Sequence, residues 1–340
     1  MKYKIKNIFL LLFFSLLQPA CLKDSIETPV TVDISNTESL LTYLESQGDY
    51  INSPDMPSII DASEVFTNIN DYLIIDIRTK DEFVGGHIIG AVNISHDKII
   101  DFLDTSNITG YQRIVIVSST GQSAAFYNSF LRLYGFDNTF SLCFGMASWN
   151  QDFADIWNNA CFDAPGITSN FTTDENPKND YSDLPDINFQ DSEPSIGNKA
   201  KKRIVDLMKY PFKDSVSVTL FSSEYYIVCF ASKALYISKS SGIAHPENAV
   251  NFIPPPINPD LRSVSNLQTL PNDRTIIFYS YSGQLSSYAA AYLRLLGYNV
   301  KTLSFGTHSL YYSTMLSVPD FEPYTFTSAK VMNYPYVTGE

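Results

Sequence analysis

Apolar residues in this chain fall into two alternating patterns. Tyr72-Leu73-Ile74-Ile75-Asp76 and Ile114-Val115-Ile116-Val117 are continuous apolar runs of strand length, the pattern of strands covered on both faces. Ser58-Ile59-Ile60-Asp61, Ala91-Val92-Asn93-Ile94 and Thr139–Cys143 predict three further strands. Ala62–Phe66 and Asp81–Val84 predict single turns of helix between them. After Ile114–Val117 the period changes. Tyr127, Phe130, Leu131 and Tyr134 recur at the spacing of one helix face, and Gly135 ends that helix. Ser39–Gln47 predicts a short helix before the first strand, and Met146–Trp157, with both tryptophans, a helix after the last. Strands alternating with helices predict an α/β fold, a parallel sheet with helices on both faces.

The second half repeats the first. Val216–Leu220 and Tyr225–Cys229 match the two early strands. His245-Pro246-Glu247-Asn248-Ala249-Val250-Asn251-Phe252 matches His87-Ile88-Ile89-Gly90-Ala91-Val92-Asn93-Ile94. Ile276–Gln284 matches Ile114–Gln122, and Leu303-Ser304-Phe305-Gly306 matches Leu142-Cys143-Phe144-Gly145. The second helix carries its stripe at Ala289, Tyr292, Leu293 and Leu296, ended by Gly297. Residues 164–195, rich in Asp, Asn, Ser and Pro, predict a linker. Residues 56–163 and 196–340 are then two tandem units. Asn198–Lys209 opens the second with Lys199, Lys201, Lys202 and Arg203, read as a solvated helix face.

The first 55 residues stand apart from both units. Lys2, Lys4 and Lys6 precede the apolar run Ile8–Leu17 and then Gln18-Pro19-Ala20-Cys21. A charged start, a short apolar core and a small residue before the cut predict a signal peptide over residues 1–20. The run is too short for a comfortable membrane span. Cys21 after Ala20 resembles the lipobox of bacterial lipoproteins, with Gln18 in place of the usual Leu. The resemblance implies lipidation of Cys21 and a polar tether with a short helix over residues 21–55, so that a membrane partner is reached through an N-terminal lipid anchor in the cell envelope. Plain cleavage, with Cys21 left as a thiol and the chain secreted, is the alternative. A composition of 44% hydrophobic and 17% charged residues is that of a globular chain. The net charge of −13 opposes nucleic acid as a partner. Cys143, Cys161 and Cys229 remain; Cys143 and Cys161 can bridge in an oxidising envelope. No spacing of His and Cys suits a metal, and no cofactor motif is present.

Asp76-Ile77-Arg78, Glu82-Phe83, Gly86-His87-Ile88, Gly90-Ala91-Val92-Asn93 and a strand-loop-helix with Thr120-Gly121 together resemble the rhodanese-like domain over roughly Ser58 to Phe162. His245–Phe252, Ser280–Gln284 and Leu293–Gly306 resemble it less fully. The resemblance implies two tandem rhodanese-like domains. It also implies a loop at a strand end whose inward N–H groups, with the following helix, hold a cysteine thiolate that accepts a sulfane sulfur as a persulfide. Aligned on Thr120-Gly121 and Ser282-Gly283, that position holds Ser118 in one unit and Ser280 in the other. A hydroxyl cannot form the S–S bond and needs an adjacent base to ionise. His87 and His245 fall in a structural element of the family, and His96 and His308 in no triad pattern. The family's ion pair beneath the loop is Asp76–Arg78 in unit one, where unit two has Cys229 and Ala231.

The expectation is a catalytically silent protein. Its loops Ser118, Ser119, Thr120, Gly121, Gln122, Ser123 and Ser280, Tyr281, Ser282, Gly283, Gln284 bind a small ligand or a partner protein through their N–H cradles. A sulfurtransferase or persulfide carrier using a displaced Cys143, at a strand end facing the same crevice, is the alternative. Serine hydrolysis at Ser118 or Ser280 is a weaker one, because no Gly-x-Ser-x-Gly is present.

Overall fold

The buried runs become strands, and the repeat becomes two sheets of one topology. The computed structural model describes residues 35–340 except 190–192, 216, 219–220, 222, 239–243, 257 and 263; residues 1–20, read as a signal peptide, and Cys21, read as a lipidation site, lie outside the described residues. Strands β1 (Ile59–Ile60), β2 (Tyr72–Asp76), β3 (Val92–Asn93), β4 (Arg113–Val117) and β5 (Thr139–Leu142) form a parallel sheet in the order β1-β5-β4-β2-β3. Strand β6 (Phe171–Thr172) follows in the connecting segment. Then come β7 (Ser217–Val218), β8 (Tyr226–Phe230), β9 (His245–Pro246), β10 (Val250–Phe252), β11 (Ile276–Tyr279) and β12 (Val300–Leu303). The second sheet, also parallel, runs β7-β12-β11-β8-β10, the same path as the first.

Alternate residues of each central strand enter different cores. Ile114 and Ile116 of β4 face one cluster, and Val115 and Val117 face another, as the twofold strand period requires. The cluster under Ile114 and Ile116 also contains Ile276 and Phe278 of β11, so the two sheets share one apolar layer. The loop helices Gln122–Tyr134 and Gln284–Leu295 pack on one another there. The sequence predicted one buried stripe on each. Instead the first is buried at every position from Ala124 to Arg132, because the second unit covers the face that an isolated unit would expose. Small residues at Ala124, Ala125 and Ser129 and at Ala289, Ala290 and Ala291 lie in this contact layer. A buried polar knot crosses it. The Tyr288 hydroxyl donates to the Ser58 carbonyl and accepts from Asn128 Nδ2 at 2.8 Å, and Ser129 Oγ donates to the Tyr288 carbonyl at 3.0 Å.

Four expectations are corrected. The helix expected over Met146–Trp157 is three pieces, Met146–Trp149, Gln151–Phe153 and Asp155–Asn158. Asn150 breaks it with extended backbone and caps Asp152 N. The segment 164–195 is not a free linker: β6 pairs antiparallel with β9, Ser182 N donates to Gln268 O, and Ile187 is buried. The basic helix, Ile196–Met208, does not leave Arg203 to solvent. Its guanidinium donates to the carbonyls of Leu295 (2.7 Å) and Arg294 (3.2 Å), capping the open end of the second loop helix. The second unit also gives up its tail. Tyr334 N donates to Trp149 O, Trp149 Nε1 to Pro335 O, and Val337 pairs with His87 on the first unit. The N-terminal helix Asn36–Ser46 in turn packs on Ile196–Met208, and Asn36 Nδ2 donates to Ile187 O at 3.0 Å.

Candidate functional site

Each loop begins where a central strand ends and a helix starts, and each hides its serine. Ser118 and Ser280 are both 3% exposed. Ser118 Oγ accepts from the Gly121 N–H at 3.0 Å and the Ala124 N–H at 3.3 Å. Ser280 Oγ accepts from the Ser286 N–H at 3.0 Å and donates to Ser286 Oγ at 3.3 Å, and the Gly283 N–H donates to the Ser280 carbonyl. The amides of Gly121 and Ala124 in the first loop, and of Ser286 in the second, are therefore engaged by the serine hydroxyls themselves. A hydroxyl oxygen, smaller than sulfur and carrying two lone pairs, turns into the loop.

Gln122 and Gln284 are not loop ligands either, and this corrects their assignment. They are 2% and 1% exposed and each reaches into the other domain. Gln122 Nε2 donates to Leu303 O at 2.9 Å and its Oε1 accepts from the Phe305 N–H at 2.6 Å. Gln284 Oε1 accepts from the Phe144 N–H at 3.0 Å. The loop glycines make room for this exchange. A Cβ at Gly121 (φ +83°) would sit 2.5 Å from the Gln284 amide, and one at Gly283 (φ +75°) on the Gln122 amide. The glycine-glutamine pair thus clamps each loop to its counterpart.

Beneath the first loop the expected ion pair is in place. Arg78 Nη2 lies 2.6 Å from Asp76 Oδ2, donates to Gly86 O at 2.7 Å, and stacks over Phe153. Asn93 Nδ2 ties the carbonyls of Asp76 and Arg78, and Asn251 does the same for Cys229 and Ala231, which fixes the correspondence of the two units. Ser119 Oγ donates to Glu82 Oε1 at 3.0 Å. Burial pushes the Glu82 carboxyl up, but hydrogen bonds from Thr79 and Ser119, with Arg78 nearby, outweigh it and hold the pKa below its ordinary value. A carboxylate beside the loop opposes an anionic ligand there.

The histidines supply no base. His87 stacks on Phe83 and bonds its carbonyl, and His245 stacks on Tyr236, the matching place, as expected of fold-supporting residues. His96 bonds Met208 O. His308 does reach the second loop, through the Tyr281 carbonyl and not through Ser280 Oγ. Its Nε2 accepts from the Phe326 N–H at 2.8 Å, so Nδ1 carries the proton and faces the carbonyls of Tyr281 (3.1 Å) and Phe305 (3.0 Å). Burial pushes its pKa down to about 4. Both nitrogens are occupied, which leaves Ser280 without the base that hydrolysis needs.

Cys143, Cys161 and Cys229 are free thiols, and Cys143 and Cys161, which could have bridged, do not. Burial, with Asp61 adding to it, pushes the Cys143 pKa up to about 12, opposite to the direction a nucleophile requires. Burial likewise raises Cys161 to about 11 and Cys229 to about 12. Trp157, which no sequence pattern marked, donates Nε1–H to Thr120 O at 3.3 Å and packs edge-on against Phe144 and Phe305, linking the first loop to both strand-exit turns. Among the described residues no cluster of three or more His, Cys, Asp or Glu is placed to hold a metal, and no helix is long and apolar enough to cross a membrane. A pocket of about 230 Å³ opens beside Ser280, Tyr281 and Ser282.

The sequence model of the Rhodanese-like domain matches residues 61–152 and 221–310. Thiosulfate sulfurtransferase GlpE of Shewanella oneidensis is 29% identical over 85 residues, 25% of this chain and 82% of that protein. GlpE of Pseudomonas entomophila is 28% identical over 82 residues, 24% of this chain and 72% of its own. Among solved structures, the 3-mercaptopyruvate sulfotransferase SseA of Escherichia coli covers 73% of this chain and 98% of its own at 16% identity, with a TM-score of 0.26. The two matched stretches span more than half of the chain, one in each sheet unit, and the chain belongs to the rhodanese-like domain family, with two such domains in tandem.

Proposed function

We propose that this protein is a catalytically silent pair of rhodanese-like domains that binds a small ligand or partner protein, held at a bacterial cell envelope by a lipid on Cys21. The observation that carries the silent reading is the state of the two loop serines. Each stands where the family places its cysteine, each is buried, and each accepts from loop amides that would stabilise a thiolate, two for Ser118 and one for Ser280. Sulfur transfer from thiosulfate, the activity that names the GlpE relatives, needs an S–S bond at that position, with sulfite leaving as the thiolate attacks. Oxygen cannot form that bond. Cys143, the displaced thiol of the alternative reading, is kept protonated by burial. The anchor is supported by Ala20-Cys21 after the charged and apolar start.

The test is thiocyanate formation from thiosulfate and cyanide by the purified chain. The expected rate equals the protein-free blank. Turnover above it that Cys143→Ala abolishes would instead establish a displaced-thiol carrier. The anchor is checked by fractionating cells that express wild type and Cys21→Ser: the wild type stays with membranes and the variant is released. Equal partition of the two excludes lipidation.

A further inference from the structure

We propose that the pocket beside the second loop takes an uncharged, largely apolar molecule about the size of a substituted aromatic ring; this rests on the reading that the loops bind and do not catalyse. The pocket lies at the C-terminal ends of β8, β10 and β11, where parallel sheets gather ligands. Its walls are Phe230, Leu235, Ile253, Pro254 and Leu285, its floor is the Ser280–Ser282 backbone turn, and none of the described residues lining it is charged.

The two domains show how this character arose. Arg78 immediately precedes the helix-capping Thr79 and Glu82 is the third residue of the helix that follows it in the first domain, and Ala231 and Leu235 stand in the same places around the capping Ser232 in the second. Ser123, the second residue of the first loop helix, corresponds to Leu285. Ser95, two residues beyond the bridging Asn93, corresponds to Ile253 beyond Asn251. Every one of these exchanges removes charge or polarity, and the residues they bring, Ala231, Leu235, Ile253 and Leu285, all line the pocket. Where Arg78 fills the space under the first loop, Ala231 leaves it open.

An anion entering this pocket would lose its hydration with no counter-charge to replace it. The loop amides of Gly283 and Ser286 already donate to Ser280 and are not available to it. An apolar solute gains by the same exclusion of water. The volume is about 230 Å³, against about 150 Å³ for a cavity that holds benzene, which sets the ligand at roughly nine or ten heavy atoms. Tyr324, 38% exposed and with its ring 6.1 Å from that of Tyr281, stands at the mouth as an amphipathic rim.

The experiment is methyl-resolved NMR of the full chain titrated with indole, 4-ethylphenol and cyclohexanol, and separately with sodium thiosulfate. The methyls of Leu235, Ile253 and Leu285 shift saturably with at least one neutral probe, with a Kd on the order of 1 mM or tighter. Thiosulfate neither shifts them nor displaces the probe. Ala231→Arg and Leu285→Trp, each checked for a native spectrum, weaken the probe at least tenfold. The proposal is overturned if no neutral probe saturates these methyls, if the shifts map elsewhere, or if thiosulfate competes. Thiocyanate turnover would end the silent reading independently, whereas a silent protein with an unresponsive pocket would end only this inference.

Discussion

Replacing Gln122 by Ala separates the clamp from the loop that carries it. In the native protein the Gln122 amide is buried and makes two hydrogen bonds into the second domain, to Leu303 O at 2.9 Å and from the Phe305 N–H at 2.6 Å. Leu303 O keeps a bond from the Gly306 N–H at 3.1 Å, so the variant orphans chiefly one buried donor, the Phe305 N–H. An unsatisfied buried polar group costs about 1–3 kcal/mol, and the unfilled space left by the amide adds about 1 kcal/mol. The expected loss is therefore about 2–4 kcal/mol, a large fraction of a domain's stability. Gln122→Glu keeps the acceptor for Phe305 but removes the donor and buries a charge. It is expected to be worse than Ala at neutral pH. Burial raises the folded pKa of that carboxyl, so its deficit relative to wild type shrinks as the pH falls through that value. Urea unfolding followed by tryptophan fluorescence is suited to this, because the Trp157 ring packs 5.1 Å from Phe305 and senses the interface. A loss below about 0.5 kcal/mol for Gln122→Ala, within the range of a neutral surface substitution, would refute the clamp.

Three more outcomes are expected. His308, held neutral with its pKa lowered from 6.5 to about 4, contributes stability that is full above pH 6.5 and is lost as the pH falls toward 4. The loss is on the order of 3 kcal/mol by linkage, read as a falling urea midpoint that His308→Asn flattens; an equally steep fall in the variant assigns it elsewhere. Arg78→Ala leaves the Asp76 carboxylate buried and unpaired and is expected to cost about 3–5 kcal/mol, whereas Asp76→Cys with Arg78→Ala, the pair that the second domain uses, costs less; equal losses in thermal or urea unfolding contradict the pairing argument. Ser118→Cys places a thiol against the Gly121 and Ala124 amides, and its pKa falls below about 8.5 while Cys143, Cys161 and Cys229 stay protonated; an ultraviolet thiolate titration on a Cys21→Ser background with no added step near neutrality rules out a working cradle.

Much of the architecture was legible before any coordinates. A run such as Ile114–Val117 is apolar at every position and so is covered on both faces, and its alternation with helical stretches points to a parallel sheet between helices. The repeat of Ser118–Gln122 at Ser280–Gln284 set two such units in one chain and located the loops. The supporting roles of Asp76, Arg78, His87 and His245 were also within reach, because each acts within its own unit on residues close in sequence or on the adjoining strand. Their geometry follows from local backbone and one sheet register.

What only the tertiary structure decided lies between the units. Asn128 and Tyr288 meet across 160 residues, and Gln122 bonds a turn 183 residues away, so no spacing in the chain announces either. Glutamine at the start of a loop helix reads as a polar, accessible ligand until the opposing helix is packed against it. The same holds for Arg203, a member of a charge run until the carbonyls of Leu295 and Arg294 come within reach, and for residues 332–337, which join the first domain only because the chain returns to it. The serines complete the contrast. The sequence by itself determined that both loops carry serine, Ser118 in one and Ser280 in the other, since identity is written in the chain. That the hydroxyls turn inward, Ser118 Oγ onto two amides and Ser280 Oγ onto one, was decided by the folded loops, because a small oxygen leaves solvent for an N–H group that the structure brings within 3.3 Å.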